Sequence, residues 1–183
     1  EPCVIDIDGL SVGLTICEDI WHPEPAAQAK AAGAAMLINI NASPFHRGKS
    51  SERLERVKSC AAAHQLPIIY VNQVGGQDEL VFDGGSFAID AQGELSVSAQ
   101  TFIEAFPIVT VDRSSDARLA PGDTVAERED LDAVWQALVL GMRDYVDKNG
   151  FPGVVLGLSG GIDSAVTLAV AADALGHERV EAV

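Results

Sequence analysis

Apolar residues follow two rhythms along the chain. In its first part, short apolar runs recur at residues 4–7, 12–16, 36–40, 68–72, 86–89 and 108–111, with the length and β-branched content of strands. Two intervening stretches favour helix. Residues 26–32 are Ala-rich, and residues 50–64 place Leu54, Val57, Ala61 and His64 on one face at i, i+3, i+4 spacing. Asp8-Gly9, Gly75-Gly76, Asp83-Gly84-Gly85 and Gln92-Gly93 supply turn chemistry. From Leu131 the period becomes helical: Val134, Leu138, Met142 and Val146 recur every four residues beside Ala137 and Tyr145, until Asn149-Gly150 ends the run. A buried parallel strand over 154–158 and an Ala-rich helix over 165–175 follow.

Residues 113–130 lack either period and carry Ser114-Ser115-Asp116, Pro121-Gly122-Asp123 and Glu127-Arg128-Glu129-Asp130, the composition of a linker. The pattern therefore predicts an α/β unit with a mixed sheet over 1–112, a linker over 113–130, and a second unit over 131–183. The second unit reads helix, strand, glycine loop, helix. That is the opening of a doubly wound nucleotide-binding domain, in which ligands lie at the C-terminal ends of the strands.

The loop of the second unit, Gly157-Leu158-Ser159-Gly160-Gly161-Ile162-Asp163-Ser164, sits where a strand meets a helix N-terminus. Backbone N–H groups there lack intrahelical partners and the helix dipole favours negative charge, so an anion can be held without a dedicated cation. Gly160 and Gly161 permit close backbone approach, while Ser159 and Ser164 add hydroxyl donors. No Lys-Ser or Lys-Thr follows the glycines, and G-x-G-x-x-G is absent, so neither the Walker loop nor the dinucleotide fingerprint is present. A second chemical group stands in the first unit. Cys17 ends the apolar run 12–16 and precedes Glu18-Asp19-Ile20-Trp21, a thiol at a strand end where α/β enzymes often place reactive residues. Adjacent acids disfavour a thiolate, so a compensating base or cation must lie elsewhere.

Composition narrows the partners. With 27 acidic against 12 basic residues and a net charge of −15, the chain repels polyanions, and no basic stripe offsets this; no nucleic-acid partner is expected. Three cysteines, Cys3, Cys17 and Cys60, form no C-x-x-C, which argues against a disulfide framework or a zinc site. No apolar run approaches the ~20 residues of a membrane span and no signal-peptide pattern leads the chain, so a cytoplasmic protein without a membrane partner is expected. The chain has no initiating Met and stops in Val180-Glu181-Ala182-Val183, the start of a strand, as an internal fragment would.

Ser159-Gly160-Gly161-Ile162-Asp163-Ser164 resembles the pyrophosphate loop of the ATP-pyrophosphatase superfamily, whose members adenylate a carbonyl or amide oxygen. Cys17-Glu18-Asp19-Ile20-Trp21, Asn41-Ala42-Ser43-Pro44-Phe45 with Lys49, and the stretch from Val71-Asn72-Gln73 to Asp83-Gly84-Gly85-Ser86 resemble the nitrilase-type glutaminase domain of the glutamine-dependent NAD synthetase family. The resemblance implies the C-terminal part of a nitrilase-like α-β-β-α sandwich, then the start of a parallel α/β synthetase domain. It implies Cys17 as the nucleophile that takes glutamine to a γ-glutamyl thioester and ammonia. Ser43 and Lys49 fall at glutamine-binding positions, Ser43 towards either the carboxylate or the amino group, and Gly157 to Ser164 form the ATP-binding stretch, with Asp163 ordering the loop or Mg²⁺. Ammonia would then amidate the adenylate of deamido-NAD, in a homo-oligomer. The family's general-base glutamate and supporting lysine fall upstream of Cys17, beyond this sequence. Cys3 and Cys60 match no catalytic position and read as packing residues, and His46 as a bystander. Glu18 would face away from Cys17 if the strand continued. Two alternatives remain: an ATP-pyrophosphatase-type amidotransferase with another acceptor, or, for the 183 residues alone, a non-catalytic nucleotide-binding module.

Overall fold

In a computed structural model describing residues 1–113 and 117–183, six strands form one sheet in the order β1-β2-β3-β4-β7-β8. They are β1 (Cys3–Ile7), β2 (Leu10–Ile16), β3 (Met36–Asn41), β4 (Ile68–Asn72), β7 (Phe87–Ile89) and β8 (Leu95–Ser98). Strands β2, β3 and β4 run parallel, and the remaining pairings are antiparallel. Asp8-Gly9 closes the β1–β2 hairpin with positive φ at both residues, as its sequence predicts. The parallel strands are joined by α1 (Pro23–Ala31) and α2 (Lys49–His64), which lie on one face of the sheet. Between them and the sheet sits the main core of Ala26, Ala29, Leu37, Val57, Ala61, Ile68, Tyr70 and Ile89. Burying each of the larger apolar side chains contributes about 1.5–3 kcal/mol.

The other face is covered at one end only. Val12 and Met36 pack under Ala117 and Val111, while Ala88 and Val97 pack under Leu119. Ile16, Ile40 and Val71 stand opposite one another across β2, β3 and β4 as an exposed apolar row. Residues 108–110 are not a strand; only β9 (Val111–Asp112) forms, paired with β10 (Arg118–Leu119). Val109 packs onto the sheet without joining it, and Ile108 is exposed.

The hairpin β5 (Val74–Gln77) and β6 (Leu80–Asp83) was not evident from periodicity, nor was β8. Gly75-Gly76 lie within β5, and the turn falls at Asp78-Glu79. The glycines serve a close approach instead. A Cβ on Gly76 would stand 3.1 Å from Gly141 Cα of α3 (Asp130–Lys148). Gly76 N–H donates to Asp144 Oδ2 at 2.7 Å and Lys148 Nζ donates to Gly76 O at 2.6 Å, so two side chains one helical turn apart capture both polar groups of one peptide residue.

Helix α3 is buried on two sides. Ala133, Ala137 and Leu140 pack with Phe45, Val74, Val81 and Phe102, whereas Val139, Met142 and Val146 pack with Ala174 and Leu175 of α4 (Ile162–Leu175). Leu138, periodic in sequence, is half exposed. Strands β11 (Val154–Leu156) and β12 (Val180–Ala182) form a parallel pair beside α4.

Of the sequence-assigned linker, Ser114-Ser115-Asp116 lie outside the described residues. Ala117 and Leu119 pack onto the sheet, and the chain beyond them is tied down by Val125 N–H to Ser98 Oγ (2.7 Å), Ser51 Oγ to Glu127 (2.8 Å) and the Arg47–Asp130 pair (2.9 Å). A cavity of 350 Å³ lies beneath this strap, floored by Leu54, Phe87, Leu95 and Phe102. Among the described residues no helix is long and apolar enough to cross a membrane.

Candidate active sites

The parallel strands deliver Cys17, Ser43 and Asn72 to one edge of the sheet, because all three follow or end the C-terminal ends of β2, β3 and β4. Strand β2 stops at Ile16. Cys17 then takes φ of 48°, a left-handed conformation uncommon for a residue with a Cβ, and opens a 3₁₀ turn over Cys17–Trp21. The premise that the strand continues through Glu18 therefore fails: Glu18 lies in this turn and is exposed. Asp19 fastens the elbow by accepting Ile16 N–H at 2.8 Å. Ile20 anchors it in the core.

Lys49 is the first residue of α2 and reaches back towards the elbow. Its Nζ lies 4.2 Å from the centroid of the Trp21 ring and 3.0 Å from Glu52 Oε2, with the side chain 19% exposed. The cation is thus held over an aromatic face and not spread into solvent. His46 is exposed, and its ring Nδ1 lies 3.1 Å from the Arg47 carbonyl. Cys60 is buried, which pushes its thiol pKa up, with Arg56 pulling the other way. Cys3 is exposed and so does not pack.

Ser43 is 8% exposed and enclosed by residues that the sequence did not single out. Asn72 Oδ1 accepts its N–H at 2.9 Å. Arg53 Nε donates to Ser43 Oγ at 3.1 Å, and Nη2 donates to the carbonyls of Ser43 and Pro44, both at 3.0 Å. Arg53 Nη1 meets both oxygens of Asp83, at 2.8 and 2.9 Å, and each partner's side chain is only 3% exposed. Asn72 Nδ2 completes the ring through Gly84 O at 3.0 Å. Beside it, Tyr70 stacks on Phe87 at 4.9 Å and 9°. Tyr70 Oη faces Ser43, and among the described residues no group meets it in hydrogen-bond geometry. Burial pushes its phenol pKa up, against the pull of the Arg53 guanidinium, and the Cys17 thiol and Asp83 lie close enough to act on it as well. The signal for Arg53 was its place one turn before Val57 on the buried face of α2. None of Cys17, Ser43 and Lys49 lines the 350 Å³ cavity.

The second candidate site is open. Strand β11 ends at Leu156, earlier than periodicity suggests, and α4 begins at Ile162 with Gly161 as its N-cap. Asp163 and Ser164 thus stand in the helix's first turn, where N–H groups are unpaired. Gly160 adopts φ of 82°, and a Cβ there would meet nothing within 4 Å. Ser159 Oγ and Ser164 Oγ lie 3.1 Å apart, and Ser164 Oγ donates to Gly161 O at 3.0 Å. Gly157, Leu158, Ser159, Gly160, Gly161, Ile162 and Asp163 are exposed and Ser164 is half-buried. Among the described residues no group of three His, Cys, Asp or Glu side chains converges on a metal-sized gap, and Asp163 stands as a single carboxylate.

Residues 2–120, which carry the mixed sheet and the cysteine elbow at its parallel strand ends, match the carbon-nitrogen hydrolase family. The chain belongs to that family. Residues 134–183 match a second family, NAD synthase. Over 175 residues the chain is 45% identical to the glutamine-dependent NAD(+) synthetase of Rhodobacter capsulatus, covering 95% of this chain and 32% of that protein. The corresponding Xylella fastidiosa protein is 46% identical, with 99% and 33% covered. The glutamine-dependent NAD+ synthetase of Acinetobacter baumannii, solved in complex with adenosine diphosphate, superposes with a TM-score of 0.94 at 42% identity, over all of this chain and 34% of that one. The chain spans about a third of the length of the curated relatives it matches. Its fold is the C-terminal part of a nitrilase-like sandwich followed by the start of an NAD synthetase domain.

Proposed function

We propose that this chain carries parts of both active sites of a glutamine-hydrolysing NAD synthetase, with residues 1–112 in the glutaminase unit and 131–183 in the synthetase unit. One observation carries this reading: a strained thiol elbow and an open phosphate loop occur in one chain, each within a match to the corresponding family. Cys17 Sγ attacks the side-chain amide carbon of glutamine, the C–N bond breaks, ammonia leaves, and water later cleaves the γ-glutamyl thioester to glutamate. Ser43 and Lys49 hold the amino-acid end. Lys49 suits a carboxylate as a point charge, because it is already fixed over Trp21.

At the second site, the Gly157 to Ser164 loop receives the phosphates of ATP. The α4 N-terminus and the Ser159 and Ser164 hydroxyls concentrate donors on the departing pyrophosphate. Asp163 would offer one oxygen ligand to a Mg²⁺ bound with the ATP phosphates, where the cation would neutralise charge on the departing pyrophosphate. Ammonia then displaces AMP from the deamido-NAD adenylate to form the amide. The reading extends to a cytoplasmic homo-oligomer without nucleic-acid or membrane partners. In the full-length protein, Cys17→Ala should abolish glutamine-dependent NAD formation while ammonia-dependent formation survives. Loss of both, or of neither, overturns the assignment of Cys17. Gly160→Val should depress both.

A further inference from the structure

We propose, resting on the glutaminase reading above, that Glu127 and Asp130 are positioning residues that hold, through Ser51 and Arg47, the turn presenting Lys49 to the carboxylate of glutamine. Lys49 opens α2, and Gly48 before it takes the N-cap place with φ of 78° and no side-chain cap. Phe45 packs on Phe102 at one end of this turn, and Arg53 is locked to Ser43 and Asp83 at the other. The residues between them stand over a void. His46, Arg47, Gly48 and Ser50 line the 350 Å³ cavity, so the turn rests on empty volume where packed side chains would otherwise fix it.

The strap supplies the support from outside. Among the described residues, the backbone and side chains flanking Lys49 are reached from afar by two polar contacts, Arg47 Nη2 to Asp130 Oδ2 at 2.9 Å and Ser51 Oγ to Glu127 Oε1 at 2.8 Å. They fall two residues before Lys49 and two after it. The turn's own bonds are local: Lys49 N–H donates to His46 O at 3.0 Å and Glu52 N–H to Gly48 O at 3.2 Å, which fixes its shape but not its place over the cavity. Place matters here, because Lys49 Nζ meets the ring of Trp21 on a different element. A displaced turn carries the ammonium with it, so glutamine binding weakens while the chemistry at Cys17 is untouched. Both partners of the Arg47–Asp130 pair are more than half exposed, which keeps the expected effect modest.

The test measures NAD formation by the full-length protein from glutamine and, separately, from ammonia. Glu127→Ala combined with Asp130→Ala should raise KM for glutamine by about threefold to tenfold, with kcat and ammonia-dependent formation each within about twofold of wild type. Asp130→Glu, which keeps a carboxylate, should stay near wild type. Arg47→Ala should match Asp130→Ala, and the two together should lose no more than the larger single loss. Ser50→Leu, which lays an apolar side chain from the turn towards Leu54 and Phe102, should recover most of the loss in the double acid variant, since packing then holds what the strap held. Should the double acid variant not fold, as read from its thermal transition, Arg47→Ala with Ser51→Ala removes the same two contacts from the other side and should raise KM alike. An unchanged KM, a loss in kcat alone, equal losses with glutamine and ammonia, additive losses at Arg47 and Asp130, or no recovery with Ser50→Leu would each overturn the proposal. Lys49→Ala separates the two levels. A large rise in its KM beside unchanged strap variants overturns the positioning role alone, whereas an unchanged KM in Lys49→Ala overturns the assignment of Lys49 on which that role rests.

Discussion

At the Cys17 edge, Ser43, Arg53, Asn72 and Asp83 are each under 9% exposed and bind one another, whereas at the second site seven of the eight loop residues from Gly157 to Ser164 are exposed. Under the proposed function the difference follows from what each site would recognise, a small zwitterionic amide at the first and a phosphate at the second. A small zwitterionic amide carries both a donor-only and an acceptor-only end, and telling them apart requires hydrogen bonds of fixed direction. Fixed direction in turn needs side chains locked by further side chains. A phosphate needs only converging donors, which the first turn of α4 supplies from the backbone once Gly161 caps it. One site is built from long-range contacts, the other from local chain geometry.

The comparison breaks most readily at Arg53. Arg53→Ala strands the Asp83 carboxylate without its buried counter-charge and should destabilise the protein by about 3–5 kcal/mol in urea denaturation. Ser159→Ala, in the exposed loop, should stay within about 0.5 kcal/mol. Similar values for the two would remove the distinction. Gly160→Ala should fall between them, at about 1–2 kcal/mol, since the added methyl meets no neighbour and only the left-handed backbone resists it. A neutral result there would mean that the loop changes conformation freely.

The smallest effect is alkaline. Burial raises the Cys60 thiol and the Tyr70 phenol, so each ionises first in the unfolded chain and the folded state retains protons that the unfolded state has lost. Stability from these groups is complete below their ordinary ranges and declines as pH climbs from those ranges through the raised values. Denaturation midpoints measured from neutral to alkaline pH should fall, with a shallower slope in Cys60→Ala. An unchanged slope would show that the Cys60 site is not desolvated.

How much of this was legible depended on whether the cause was local. Asp8-Gly9, the run ending at Cys17 and the glycine loop before α4 are all set by neighbours in sequence, and each was readable. Gly75-Gly76 looked like a turn because two glycines usually are one, but their reason is Gly141, far along the chain. Residues 108–111 had strand composition, yet Val109 and Val111 cover Val97 and Ala88 while Ile108 is exposed. Arg53 was hidden for the same cause: a charge on an amphipathic helix reads as solvated until Asp83, thirty positions later, is known to meet it. The buried network is therefore the part of the site least visible to periodicity, and its outline becomes visible only with the tertiary fold.

Helix α3 also bears on how the two units can be exchanged. A flexible tether can be severed anywhere, and the pieces on either side can be recombined with other partners. Cutting before Asp130 would bare Val74, Val81 and Phe102 and leave the Gly76 peptide without Asp144 and Lys148. Cutting after Lys148 would strip Val146 and Met142 from Val154, Ala174 and Leu175. The helix is common property of both halves, so neither is a free-standing cassette, and a chimera that swaps one unit has to carry a matching α3 with it.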